Sequence, residues 1–195
     1  MIYIVSGFMR SGTSMMMCCL EAGGLSVVYD QSREDHMQKE YPDGNPMFYE
    51  QTQETRIKNL SHTEHKDGTV YGYADSCIKS EDLADKFTQQ YDGKVIKVLE
   101  PWLWCLPRKA DIEMIFMVRS PKQIRKSFKY MLKKDLGDKW VANYWGMVND
   151  KIAELRRSFS VTVIDYNEFI RHPVFPDWDI DVGNATSVIN KKWVT

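Results

Sequence analysis

The sequence predicts a single α/β domain over residues 1–195, in which helices cover both faces of a mainly parallel sheet of about five strands. Two observations predict this three-layer class. Short apolar runs rich in β-branched residues alternate along the chain with longer helix-forming segments, which is the order of strand–helix–strand units. No repeat, low-complexity tract or linker divides the chain, and 195 residues are enough to bury one sizeable core.

The predicted strands are short segments dominated by apolar and β-branched residues, which favour extended backbone. They span residues 2–6, 26–29, 94–99, 113–118 and 161–165. Because helical segments separate most of them, we expect the strands to run parallel.

The predicted helices are longer segments bounded by capping residues and glycines. They span residues 15–22, 50–60, 81–90, 120–136 and 140–157, with a short helix after Asn184. The clearest helix start is at Ser120, because Ser is a good N-cap and Pro121 suits the first helical position. Gln123 then completes a capping box.

Charge and cysteine content exclude several classes of protein. Lys and Arg number 26 against 27 Asp and Glu, so the net charge is −1 and no nucleic-acid partner is expected. No apolar run approaches the roughly 18 residues of a membrane span. The four cysteines show no Cys-x-x-Cys spacing, and His62 and His65 have no further His or Cys nearby. We therefore expect no metal site and a cytoplasmic protein with reduced thiols.

A glycine-bounded segment, residues 7–14, connects the first strand to the first helix. It matches the Walker A pattern of P-loop NTPases at both glycines and at the final hydroxyl residue, but Thr13 stands at the lysine position. A cation is still present in the loop, at Arg10. The amides of Gly12, Thr13 and Ser14 open a helix, so we expect them to bind an anion. The candidate binding residues of the loop are Gly7, Phe8, Met9, Arg10, Ser11, Gly12, Thr13 and Ser14.

The missing lysine favours a donor that needs no clamp on β- and γ-phosphates. A phosphosulfate, which has only one phosphoanhydride-like linkage, satisfies that condition. Residues 5–14 resemble the 5′-phosphosulfate loop of sulfotransferases. A second segment, residues 115–121, is a strand that ends in Arg-x-Pro, and Ser127 follows Arg119 by eight residues. Residues 45–50 and 180–193 resemble a bacterial sulfotransferase-like P-loop family.

This resemblance implies an enzyme that transfers a sulfuryl group from 3′-phosphoadenosine 5′-phosphosulfate (PAPS) to a hydroxyl or amine. The acceptor would be a small molecule, a glycan or a peptide. The resemblance further implies that Arg119 and Ser127 bind the 3′-phosphate, that Met15 lies against the adenine, and that Arg10 stabilises the developing charge. No metal is required.

The general base is not fixed by the sequence. Residues 98–101 contain no His, so Glu50, after the first helix, and Glu100, after a strand, both stay candidates. Two other functions stay open: a small-molecule kinase with a degenerate Walker loop, and a nucleotide-binding module without catalysis. The oligomeric state is not predicted.

Overall fold

The computed structural model describes residues 1–28, residue 39 and residues 81–189. Its sheet has four parallel strands: β1 (Ile2–Gly7), β2 (Val95–Lys97), β3 (Ile112–Val118) and β4 (Ser160–Asp165). Their order across the sheet is β2-β1-β3-β4. The predicted α/β class with a mainly parallel sheet is confirmed, and the described residues form four strands where about five were predicted.

Of the strand predicted at residues 26–29, the described residues 26–28 form one isolated bridge. Val27 pairs with Val95 in parallel, and the flanking hydrogen bonds run from Val28 N to Val95 O and from Val95 N to Ser26 O. Residue 29 lies outside the described residues.

Among the described residues, the five helices predicted there are present, with ends that differ by a few residues, and one further α-helix was not predicted. The helices are α1 (Thr13–Ala22), α2 (Glu81–Tyr91), α3 (Pro121–Leu132), α4 (Gly137–Leu155), α5 (Tyr166–Arg171) and α6 (Val182–Ser187), with a 3-10 helix at Glu100–Cys105. The helix predicted at 50–60 lies outside the described residues. Within the ranges 1–28 and 81–189, none of the helices combines the length and apolar character that a bilayer crossing needs.

Two helix boundaries and one additional helix differ from the prediction, each for a local reason. The helix α3 ends before Lys133, which has a left-handed backbone with φ 55° and donates its N–H to Lys129 O. The helix α5 was not predicted; Asp165 caps it by accepting from the N–H groups of Asn167 and Glu168. The helix α6 begins before Asn184, because Asp181 is its cap.

Two hydrophobic cores lie on opposite faces of the sheet. Alternate residues of β1 divide between them: Ile2 and Ile4 belong to one core, and Val5 belongs to the other. Buried residues of α2, α3 and α4 pack in the first core, and those of α1, α5 and α6 pack in the second. The three-layer arrangement predicted from the sequence is therefore confirmed.

The carboxyl ends of three strands meet at one edge of the sheet. Gly7, the last residue of β1, is in register with Met117, and Val118 of β3 is in register with Asp165. The glycine loop, Arg119 and Tyr166 each follow directly from one of these ends. Open parallel sheets bind ligands at this edge.

Candidate anion-binding site

A pocket opens at this edge between the glycine loop, the end of β3 and the start of α5. Its lining residues are Arg10, Gly12, Thr13, Ser14, Met15, Arg119 and Tyr166. Of these described lining residues, two are arginines and none is a carboxylate. The composition of the lining therefore favours an anionic ligand.

The shape of the loop depends on its two glycines. Gly7 has φ 145°, and a Cβ there would lie 2.5 Å from the carbonyl oxygen of Met117. Gly12 has φ 107°, and a Cβ there would collide with the ring of Tyr166. Arg10 between them takes φ 69°, a left-handed conformation that is uncommon for a residue with a side chain. The backbone is thus held in a tight turn that larger residues would open.

The helix α1 begins at the pocket without a side-chain cap. Gly12 is the N-cap, and the first turn contains no acidic residue. The N–H groups of a helix's first turn have no acceptor within the helix and carry partial positive charge. Thr13 and Ser14 line the pocket, so this end of α1 is suited to receive an anion.

Arg119 is half-buried beside the pocket. Its guanidinium carbon lies 4.0 Å from the centre of the Tyr166 ring, and its Nη1 donates to the carbonyl oxygen of Arg10 at 3.4 Å. Nε donates to Gln123 Oε1 at 3.3 Å. Burial lowers the pKa of Arg119. No carboxylate among the described residues forms an ion pair with it, so its charge is available to a ligand.

Arg10 and Ser127 are in contact, although the sequence analysis assigned them separate roles and predicted no contact between them. Arg10 Nε donates to Ser127 Oγ at 2.9 Å, and Nη1 donates to Met131 Sδ at 3.1 Å. The glycine loop is therefore tied to α3. Ser127 does not line the pocket itself, but a hydroxyl that accepts one hydrogen bond still has a proton to donate. Its assignment to the 3′-phosphate stays a prediction.

Sequence reasoning did not identify Lys97 as a residue of the site. This lysine interrupts the apolar run of β2. It is 2% exposed, and its Nζ donates to Ser14 Oγ at 3.0 Å. A buried lysine is costly unless its charge is paired or used. A charged residue within a predicted buried strand was the available indication, although the sequence did not show that this side chain reaches the glycine loop.

The remaining loop residues contribute backbone or packing. Phe8 packs against Tyr144, with ring centres 5.4 Å apart, and Met9 is exposed. Ser11 is completely buried and is not among the residues that line the pocket. Together with Gly7, these residues are absent from the pocket lining, and their assignment to donor binding stays a prediction.

The two candidate bases have different positions. Glu50 lies outside the described residues. Glu100 is the first residue of the 3-10 helix, and its carboxylate lies 3.7 Å from Lys151 Nζ. It does not line the pocket. Within the described residues, no three of His, Cys, Asp and Glu come together as a set that could hold a metal.

Burial also raises the pKa of Glu100, although Lys151 opposes the shift. A carboxyl group whose pKa is higher in the folded state loses stabilisation as the pH rises through that folded value. We expect the advantage of Glu100→Gln over the wild type to increase from pH 4 to pH 7, measured as the free energy of unfolding in urea. An advantage that shrinks over this range would contradict a raised pKa of Glu100 in the folded state.

Comparisons with known proteins add a fold likeness. No protein-family model matches this chain, and no curated protein matches it. Among solved structures, it is similar to the sulfotransferase domain of the olefin synthase from Synechococcus PCC 7002. The TM-score is 0.42 at 16% sequence identity, over 88% of this chain and 68% of that chain. A likeness at this level leaves the activity open, so any functional conclusion rests on the site.

Proposed function

We propose that this chain is a sulfotransferase-like enzyme that uses PAPS as its donor and a hydroxyl or amine compound as its acceptor. The observation that carries the proposal is the pocket, in which an uncapped helix N-terminus and two arginines meet with no described carboxylate. Such a lining suits a ligand with more than one anionic group.

PAPS offers anionic groups at both ends of its ribose. The start of α1 and Arg10 supply one positive region, and Arg119 supplies a second. Met15, whose side chain is fully buried, adds an apolar wall. These features support assigning the 5′-phosphosulfate to the loop and the 3′-phosphate to Arg119.

Sulfuryl transfer makes one bond and breaks one. The acceptor oxygen or nitrogen attacks sulfur, the bond from sulfur to the bridging oxygen breaks, and that oxygen leaves as part of 3′-phosphoadenosine 5′-phosphate (PAP). A base takes the acceptor's proton. We assign the stabilisation of the leaving oxygen to the amides of Thr13 and Ser14 and to Arg10. Because Glu100 is paired with Lys151, we propose Glu50 as the base.

The contact between Lys97 and Ser14 argues against a magnesium-dependent kinase. In Walker loops the final hydroxyl residue binds Mg²⁺. Here the hydroxyl of Ser14 accepts a hydrogen bond from an ammonium group at 3.0 Å. Repulsion between like charges at this distance disfavours a divalent cation on the same oxygen. A donor that reacts without a metal fits this arrangement better.

A binding module without catalysis is the second candidate. The observation that favours it is the lack of a carboxylate among the described lining residues, since transfer needs a base. It shares the nucleotide site with the enzyme and differs from it only in turnover.

Calorimetry and a transfer assay test the three candidates. We expect wild-type protein to bind PAP more tightly than AMP, and to bind ATP with Mg²⁺ weakly. Incubation with PAPS carrying radiolabelled sulfur should then label one class in a panel of phenols, amines, sugars and peptides. Tight PAP binding without any labelled product favours the module. Magnesium-dependent ATP turnover, or no PAP binding, overturns the proposal.

Lys97→Met separates the charge of this lysine from its packing. Methionine fills similar space without the charge, so this variant removes the ammonium group and keeps most of the packing. We expect PAP affinity to fall roughly 10-fold, which is about 1.4 kcal/mol. Lys94→Met is the matched control, because Lys94 is exposed just before β2 and its Nζ donates to Gln90 O. Equal PAP affinity in both variants would remove Lys97 from the site.

A further inference from the structure

The ring of Tyr166 lies under the guanidinium of Arg119. The residue is 6% exposed, and the distance from the Arg119 guanidinium carbon to the ring centre is 4.0 Å. A cation over an aromatic face is attracted by the ring's electron density, and the attraction strengthens where water is partly excluded. Arg119 is half-buried at the pocket, so water screens this contact only in part and the contact stabilises the guanidinium there.

The backbone at Tyr166 is held by its preceding residue. Asp165 ends β4 and caps α5, and its Oδ1 accepts from the N–H of Asn167 at 2.8 Å and from the N–H of Glu168 at 3.1 Å. A cap of this kind fixes the direction in which the chain enters a helix. Tyr166 is the first residue of that helix, so the backbone that carries its ring has a defined position and direction.

The same ring contacts the glycine loop. A Cβ at Gly12 would collide with Tyr166 Cδ2, so the ring packs directly on the loop backbone. Tyr166 therefore touches both anion-binding parts of the pocket, the start of α1 and Arg119.

A second link from α5 reaches Arg119 through Gln123 of α3. Gln123 Oε1 accepts from Arg119 Nε, and the side-chain amides of Gln123 and Asn167 exchange hydrogen bonds at 3.2 Å and 3.1 Å. Asn167 follows Tyr166 directly. The first turn of α5 thus holds Arg119 both through a ring and through an amide pair.

We infer that Tyr166 is a positioning residue, whose ring holds the Arg119 guanidinium at the pocket and fixes its spacing from the glycine loop. The identity of the anion that Arg119 binds rests on the proposed function, but the positioning itself does not. Tyr166 acts through Arg119.

Chemical modification of arginine tests the positioning without any nucleotide. The protein is treated with phenylglyoxal, and modification of Arg119 is followed by peptide mass spectrometry. We expect slow modification in the wild type and in Tyr166→Phe, which keeps the ring. In Tyr166→Met, which loses it, modification should be at least 3-fold faster. Tyr130→Leu is the control, because Tyr130 is 71% exposed on α3 and its ring meets Lys133 instead.

A folded Tyr166→Met protein with wild-type Arg119 reactivity would overturn the inference. If that variant does not fold, proton NMR of the wild-type protein tests the contact between Tyr166 and Arg119 instead. The Nε–H resonance of Arg119, assigned by its loss in Arg119→Lys, should be shifted upfield by the ring above it. An unshifted resonance would also overturn the inference.

Nucleotide binding then links the positioning to recognition. AMP lacks the 3′-phosphate of PAP, so the dissociation constant of AMP divided by that of PAP measures recognition of that group. We expect this ratio to fall in Tyr166→Met towards its value in Arg119→Ala, and to be restored in Tyr166→Phe. A ratio in Tyr166→Met equal to the wild-type value counts against the inference. If the wild type does not bind PAP, the proposed function fails, and the modification and NMR results still judge Tyr166.

Discussion

Arg119→Ala should weaken the binding of PAP by about 1.5–3 kcal/mol, or roughly 10- to 150-fold, which is the range of a hydrogen bond to a charged group. The structure gives the reason. The guanidinium is half-buried at the pocket, and its described partners are the Tyr166 ring, Gln123 and a carbonyl oxygen, none of which carries negative charge. A ligand anion is the partner that would neutralise it.

Isothermal titration calorimetry measures this loss, with Arg171→Ala as the matched control. Arg171 is 67% exposed and pairs with Glu168 at the end of α5, away from the pocket lining. We expect the control to bind PAP as the wild type does, and Arg119→Lys to fall between them because lysine keeps the charge without the planar fork. Wild-type affinity in Arg119→Ala would count heavily against the site.

Gly12→Ala should destabilise the fold and weaken PAP binding together. The residue has φ 107°, where a side chain is strained, and the new methyl group would collide with the Tyr166 ring. A left-handed backbone costs an alanine about 1–2 kcal/mol, and forcing a methyl into filled space costs about 1–3 kcal/mol. We therefore expect a loss of roughly 2–5 kcal/mol in the free energy of unfolding, measured in urea.

Gly24→Ala separates the two costs. Gly24 follows α1 with φ 96°, and nothing lies within 4 Å of a Cβ built there. This control carries the backbone strain without the collision, so it should lose less stability than Gly12→Ala and leave PAP binding unchanged. Equal losses in the two variants would mean that the Tyr166 ring yields at no cost, and that it does not pack tightly on the loop.

The glycine loop was predictable because its information is local. The spacing of Gly7 and Gly12, a strand before them and a helix after them are all read within fourteen residues. The place of Arg119 followed from its position after a buried strand, since strand ends of a parallel sheet share an edge. Both predictions depend on neighbours in sequence and on one general rule of topology.

The parts that sequence reasoning missed depend on contacts between distant residues. Lys97 meets Ser14 across 83 positions, and Arg10 meets Ser127 across 117 positions. Nothing local indicates which face of a strand will carry a lysine towards the loop. Glu100, one of the two candidate bases, begins a 3-10 helix and lies beside Lys151, and local sequence does not indicate that pairing either.

The hydrogen bond from Arg119 Nη1 to the backbone carbonyl oxygen of Arg10 links Arg119 to the glycine loop that carries the second arginine of the pocket. Arg10 in turn is fastened to α3 through Ser127. Losses measured by substituting either arginine alone therefore include a disturbance of the other, and free energies from residues in one network do not sum. Selectivity for a ligand with two anionic groups would accordingly depend on Arg10 and Arg119 together, because a shift in the position of either residue disturbs the other.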